Sequence, residues 1–562
     1  MALLLLCAAV GFSLYAKVLN GSFQFDDYIT IVNNPAVKDI DRLDLLWPAF
    51  NSRLLTGLTF AANYAVGGLS TTGYHLVNIL IHALNAFLVY VFLRSVFAIS
   101  AGREKKTGPG AAAAVFAALI FLAHPAQTQA VSYITQRASG LAAMFYLSTL
   151  VFYVKARREE SRACLFTAWL LCAAAMFTKE LAVTLPLMLL VLDFYFFSTQ
   201  ETAGQRIRRM APFLATMVFV PLMIALDRQG SVLDIGSQVA GSQWNWTNIL
   251  TQLNVLRTYL RIFLFPVGLN LDYDYPRSPG LNDGMTVLAL VMAVLWMAVA
   301  FNTFKRRRLL SFFLMWYPLT IAVEFAACSL ISRDLIFEHY LYLPMAGFAA
   351  LFSVGMESVS KRRDAYLAAM TAVVVCLSVL TWQRNDVWRD PVGLWTDVIH
   401  KSPNKARGYS NLGLAYRWRG DLPQAIRYYQ KALKIGGMED AARSQILTNL
   451  GAAYGRQGNY FEEIRLCREA LKFDPYNAQA YSNLGYAYFL QGDIGQAQEF
   501  GRKAVEIKPD FAEGYVNLGV IYAGQGRYQQ AFECFQRAVR LDPDDPEARK
   551  NFEQVQEFLG RS

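Results

Sequence analysis

Two aspartates, Asp26 and Asp27, stand side by side in "FQFDDYITIVNNPAV", just after a leucine- and alanine-rich run. A carboxylate beside hydrocarbon is costly, so a pair there calls for a partner or a use. One carboxylate is enough to cap a helix. Two, set among Phe23, Phe25 and Tyr28, are candidates for an acid of shifted pKa that takes a proton during a reaction. Further polar residues fall at the ends of other apolar runs: Arg53, His75, His124, Arg137, Lys179, Glu180, Arg333, Glu338 and His339. Cations and carboxylates gathered at one membrane face suit an anionic substrate. Blander roles compete at several of them. His82 and Asn78 recur at helical spacing and fit interhelix hydrogen bonds, Lys179 and Glu180 could compensate one another, and His124 before Pro125 could cap a helix end.

The elements that would position these residues are apolar helices. The 562 residues are 54% hydrophobic and only 17% charged, unlike a soluble protein, and the apolar runs stop near residue 382. About eleven spans are expected, near 2–19, 74–98, 111–126, 138–154, 163–178, 181–198, 210–226, 285–303, 309–330, 340–355 and 364–381. Residues 247–265 read as an interfacial or re-entrant helix. The net charge of +10 comes from short clusters between runs, such as "REKK" (103–106), "KARRE" (155–159), "QRIRR" (205–209), "KRRR" (305–308) and "KRR" (361–363). That distribution follows the positive-inside rule and argues against nucleic acid as a partner. With every basic cluster cytoplasmic, Asp26, Asp27, the loops around His124, Lys179 and Arg333, and everything after residue 382 lie outside. The first run lacks a basic leader and reads as an uncleaved anchor rather than a signal peptide. The seven cysteines show no paired or metal-ligand spacing.

After residue 382 the chain changes character. Asn449, Asn483 and Asn517 each open "NLG" at intervals of 34, and Pro475, Pro509 and Pro543 repeat in step. A fourth unit, "SNLGLAYRWRGDLPQAIRYYQKALKI", is displaced by four residues. The pattern is that of tetratricopeptide helix–turn–helix units. Glu463 stands where alanine is usual, and Gly501 where a large residue is usual. Three parts follow: a membrane domain over 1–382, a linker and degenerate half-repeat over 383–407, and a repeat domain over 408–562 ending in a capping helix. Repeat arrays present a groove to a partner. Asn411, Asn449, Asn483 and Asn517 recur at one first-helix position, where an amide could hold an extended polypeptide through its backbone. This resembles the asparagine ladder of the O-GlcNAc transferase repeats; the alternative is simple packing between helices.

The expected fold class is therefore all-α: a polytopic helical membrane domain followed by an α-solenoid. Together, "FQFDDYITIVNNPAV", "GYHLVNILIHALNA", "HPAQTQAVSYITQRA", "TKELAVTLPL", "EHYLYLPMAGF" and "RNDVW", in that order and followed by repeats, resemble the transmembrane-and-TPR O-mannosyltransferases and their prokaryotic relatives. Those are C-type membrane glycosyltransferases. The resemblance implies a polyprenyl- or dolichyl-phosphate sugar as donor and a protein Ser or Thr hydroxyl as acceptor. It implies that the pair Asp26–Asp27 supplies the base, and it leaves open which one does. Arg53, Arg137, Lys179, Arg333 and His339 are then candidates to stabilise the leaving phosphate. A divalent cation, Mg or Mn, at one of the aspartates stays open. One base and no protein nucleophile imply inversion at the anomeric carbon. The chain departs from the family at Gln129, where an acid is usual, at His339, where arginine is usual, and at Leu54, where proline is usual. Two rivals remain: a membrane scaffold without chemistry for envelope assembly, and a C-type enzyme acting on glycolipid or polysaccharide.

Overall fold

The computed structural model describes residues 2–104, 110–197, 202–226, 245–330 and 334–561, and every regular element among them is helical. The chain divides into two compact units, Met1–Gly393 and Leu394–Ser562.

In the first unit, seven helices are long and apolar enough to cross a membrane: Thr71–Ser100, Ile134–Glu159, Glu180–Phe197, Gly204–Leu226, Gly284–Thr303, Arg308–Leu330 and Arg363–Val387. Helices Ala111–Ala123 and Pro125–Ser132 make an eighth candidate, bent by 51°. The bend falls at His124–Pro125, where proline removes an N–H from the helical ladder. Three shorter apolar helices, Ala2–Val18, Arg162–Ala175 and Pro344–Val359, occupy the remaining expected runs. The chain is a multi-pass membrane protein. Helix Trp246–Leu264, where an interfacial or re-entrant helix is expected, turns its polar stripe inward. Asn254 donates to the Thr286 hydroxyl (2.8 Å) and Gln252 to the Leu335 carbonyl (2.8 Å), so protein rather than water satisfies the stripe.

Polar residues cluster at opposite ends of these helices. In Arg137–Glu159, Arg137 opens the helix and Arg157 stands near its close, about 30 Å away at 1.5 Å per residue. At the far end, the fully buried Asp193 pairs with Arg157 (3.2 Å), Arg206 (3.1 Å) and Arg209 (3.0 Å). The Tyr153 hydroxyl donates to the same carboxylate at 2.7 Å. The basic cluster of Arg157, Arg206 and Arg209 thus stands about 30 Å from the Arg137 end of this helix, beside which Asp27 is docked through Thr135.

The second unit holds most of helix Pro391–Lys401, then four helix pairs and a last helix, Pro546–Arg561. Gly420, Gly458, Gly492 and Gly526 end the first helix of each pair with φ between +74° and +85°, which explains their strict recurrence. Adjacent pairs are tied at repeating positions: Arg468 donates to the Tyr488 hydroxyl (2.6 Å), and Arg502, one period on, to that of Tyr522 (2.8 Å). Glu463 is buried between Asp440–Arg456 and Tyr460–Phe473, its carboxyl lying over Gly455, where any Cβ would collide with it.

Candidate functional site

The segment carrying the aspartates leaves helix Ala2–Tyr15 and turns back on itself. Both oxygens of Asp27 make that turn. Oδ2 accepts the Gln24 N–H (2.8 Å), closing the loop locally, and Oδ1 accepts the Thr135 N–H (2.8 Å), docking the loop on residues 134–136. Asp27 is fully buried, and burial pushes its carboxyl up to about 7 despite those two donors. Asp26 is half-buried. Together with Arg53 it lines a cavity of about 160 Å³, whose walls also include Thr30, Phe50, Phe60, Thr135 and Gln136.

Backbone strain marks both walls. Phe25, directly before Asp26, has φ +42°, and Asn51, two residues before Arg53, has φ +39°. Neither is glycine, and each such conformation costs on the order of 1–3 kcal/mol unless its surroundings impose it. At Asn51 the side-chain amide donates to the Met223 carbonyl (2.9 Å), which holds the bend.

Behind Arg53 stands a chain of charges. Arg53 Nε and Nη2 donate to Glu180 (3.0 and 2.8 Å), and the Ser52 hydroxyl donates to the same carboxylate at 2.8 Å. Only Nε and Nη2 meet the carboxylate, so the guanidinium keeps donor capacity at Nη1. Lys179 is buried, donates to the Ser139 hydroxyl (3.0 Å) and pairs with Glu324 at 3.5 Å. Its ammonium also lies 5.4 Å from the Tyr340 ring centroid. Two cations and two carboxylates balance, so this network carries no surplus charge of its own.

The other expected site residues are placed elsewhere or otherwise engaged. Arg137 is buried with its guanidinium bound to Asn78 (2.7 Å), the Thr59 carbonyl (3.1 Å) and the Tyr74 carbonyl (3.0 Å), and it braces three helices outside the cavity lining. His339 lies against Gln129, whose side-chain oxygen accepts from the His339 backbone N–H (2.8 Å) and sits 3.2 Å from Nδ1. Burial, then the nearby Lys179 and Arg53, drive its pKa well below the ordinary histidine value, so it is a neutral neighbour of the site rather than a cation. His124 caps its own turn through Nδ1 (3.2 Å from Ala126 N) and approaches the Phe263 carbonyl through Nε2 (3.2 Å). His75 is buried in Thr71–Glu104 and does not line the cavity. Glu338 accepts the Asn270 N–H (2.5 Å) and the Tyr273 hydroxyl (2.7 Å), which pins the segment after Trp246–Leu264. Arg333 lies outside the described residues.

Glu324 was not among the residues singled out from sequence. Its signal was present: it is the single charge in the apolar run "TIAVEFAACS", where an ionisable side chain is expensive without a role. Both Asp27 oxygens are taken by backbone N–H groups, and among the described residues no three His, Cys, Asp or Glu side chains are gathered to hold a metal.

The asparagines of the repeats fall into two groups. Asn517 donates to the Ser482 hydroxyl (2.9 Å), and Asn483 accepts from Gln479 (3.1 Å). Asn411 and Asn449 are half-buried and make no side-chain hydrogen bond within the described residues.

Comparison with known proteins agrees with this layout. Residues 404–475, 466–499 and 512–545 match tetratricopeptide repeat models. The "Protein O-mannosyl-transferase F38B6.6" of Caenorhabditis elegans is 26% identical over 447 residues, covering 75% of this chain and 61% of that protein. The human "Protein O-mannosyl-transferase TMTC4" is 26% identical over 497 residues, covering 76% of this chain and 65% of its own. The chain is similar to the protein O-mannosyl-transferases. It spans less than two thirds of the length of these two relatives. The alignments extend well beyond the repeats, so the likeness to these O-mannosyl-transferases includes much of the unit that holds Asp26 and Arg53.

Proposed function

We propose that the protein is an inverting membrane glycosyltransferase that moves a sugar, mannose for preference, from a polyprenyl or dolichyl phosphate to Ser or Thr hydroxyls of proteins. The observation that carries this reading is the cavity lined by Asp26 and Arg53, with Asp27 turned away behind it. The relatives, as protein O-mannosyl-transferases, suggest the sugar and the acceptor class.

In this scheme Asp26 is the base. Its carboxylate takes the proton of the acceptor hydroxyl as that oxygen bonds to the anomeric carbon. The bond from the anomeric carbon to the phosphate oxygen breaks on the opposite face, and the lipid phosphate leaves with the electron pair. Arg53 meets the charge that develops there, oriented by Glu180, with Lys179 behind it. A phosphate leaving group needs a cation more than a proton, so a second acid is not required. The reaction faces the side away from the basic clusters: the periplasm of a bacterial inner membrane, or the lumen of the endoplasmic reticulum. The repeats lie on that side and hold an extended acceptor segment, with Asn411 and Asn449 offering unengaged amides.

The test is transfer of radiolabel from a purified lipid-phosphate mannose to an acceptor protein by the detergent-solubilised chain. Label on Ser or Thr, lost in Asp26→Asn, supports the reading; full transfer by Asp26→Asn rejects it.

A further inference from the structure

The motif "RNDVW" at residues 384–388 has no part in the scheme above, yet its side chains converge on the loop that carries Asp26. Asn385 uses both ends of its amide. Its Nδ2 donates to the Leu14 carbonyl (2.9 Å) at the close of the first helix, and its Oδ1 accepts the Ser132 hydroxyl (2.7 Å). Asp386 pairs with Lys17 at 2.6 Å. Trp388 is buried and stacks on Tyr133, with ring centroids 5.9 Å apart and planes at 24°. The Tyr133 hydroxyl accepts the backbone N–H of Asp26 at 2.9 Å. The backbone closes the same circuit, since Ser22 N–H donates to the Arg389 carbonyl (3.3 Å). At Gly21 an added Cβ would press on the carbonyls of Val18 (3.0 Å) and Trp388 (3.3 Å).

These contacts surround the strained residue. Phe25 holds φ +42° between the Gln24–Asp27 turn on one side and the Asp26–Tyr133 hydrogen bond on the other. A non-glycine residue keeps such a conformation only while its surroundings impose it. Asp27 fixes the C-terminal side of the loop, and the stacked Tyr133 fixes Asp26 itself. Trp388 in turn holds Tyr133 through its ring, since its indole N–H has no hydrogen-bond partner among the described residues.

We infer that Tyr133 and Trp388 are positioning residues for the base, and that the end of the last membrane helix is a buttress setting where the Asp26 carboxylate stands in the cavity. The inference rests on the assignment of Asp26 as base, but its physical content is the order of residues 22–28, which is measurable without turnover.

The experiment compares Tyr133→Phe, Trp388→Phe and Trp388→Ala in the full chain in nanodiscs. Two readouts are used: hydrogen–deuterium exchange of the peptide spanning 22–28, and kcat and KM with a mannosyl-phosphoryl polyprenol and an acceptor peptide. Tyr133→Phe removes one hydroxyl and keeps the ring. It is expected to speed exchange of that peptide and to lower kcat about five- to tenfold with KM unchanged, the size of one lost hydrogen bond. Trp388→Phe keeps an aromatic face and loses no hydrogen bond, so both readouts stay near wild type; Trp388→Ala behaves like Tyr133→Phe. Wild-type exchange in Tyr133→Phe and Trp388→Ala overturns the inference, as does Trp388→Phe failing as badly as Trp388→Ala. Faster exchange spread over the whole membrane domain also overturns it, since that is general loosening. If the wild-type chain transfers no sugar, the proposed function fails, and the exchange arm still decides the buttress.

Discussion

The two adjacent aspartates divide their labour, and this can be separated by substituting each with asparagine across pH. Asp27 accepts two backbone N–H groups at 2.8 Å each, in full burial, with its carboxyl raised from 3.8 to about 7. A carboxyl raised on folding is protonated in the folded state where the unfolded chain has already released its proton. Stability is therefore greatest below about 3.8, declines as pH climbs to about 7, and is flat above. The shift of about three units corresponds to roughly 4 kcal/mol. Asparagine cannot ionise, but its amide turns a donor toward one of the two N–H groups, at about 1–3 kcal/mol. Asp27→Asn is thus expected to be less stable than wild type near pH 4 and equal or more stable at pH 8, with turnover reduced but measurable at both. Asp26→Asn is expected to melt like wild type at either pH and to lose at least about 10²-fold in kcat, the low end of what a general base contributes. Denaturation midpoints in detergent at the two pH values, beside the transfer assay, read both effects. The reasoning is refuted if Asp27→Asn abolishes turnover while exchange of residues 22–28 is unchanged, because Asp27 would then be the base.

Three further outcomes follow from the same geometry. Arg53→Ala should cut kcat about 10²-fold or more, while Glu180→Gln, which keeps an acceptor for Arg53, should cost about tenfold or less; equal losses in the two variants contradict the assigned roles. Asn411→Ala with Asn449→Ala should raise the acceptor KM several-fold and leave the donor KM alone, whereas Asn517→Ala, whose amide already serves Ser482, should change it little; titration with acceptor peptide separates the two. In the repeats, burial raises the Glu463 carboxyl to about 8 from 4.5, so wild type should lose on the order of 4–5 kcal/mol of stability as pH rises through that window. Glu463→Gln should hold its denaturation midpoint across the same range, and a parallel decline in both proteins removes Glu463 as the cause.

Repetition made the helical pairs of the C-terminal unit legible from sequence. The turn glycines recur because φ near +80° admits little else, so the chemical constraint and the sequence signal are the same thing. The apolar runs gave the membrane helices in the same way, through length and composition. Side-chain direction was not legible. Asp26 and Asp27 are neighbours of one type, and only the turn, set by a backbone N–H more than a hundred residues away at Thr135, makes one structural and leaves the other on the cavity. Arg137 and Arg53 look alike as cations at helix ends. One is consumed by Asn78 and two carbonyls, while the other meets a carboxylate through only part of its guanidinium. Gln129 and His339 were noted singly as departures from the family pattern, and the fold puts them in contact. Where an acid and an arginine are usual, an amide and a neutral imidazole now meet, so each departure removes the need for the other. The same holds in the repeats, where the glutamate at 463 is fitted over a residue, Gly455, that has no side chain to oppose it. An exchanged pair reads as two defects in a sequence, because the compensation acts only through space. Around the cavity the cations Arg53 and Lys179 are accordingly matched by Glu180 and Glu324, with the Asp26 carboxylate in addition, so in the proposed reaction a leaving phosphate would be met by the direction of Arg53 rather than by a surplus of positive side chains.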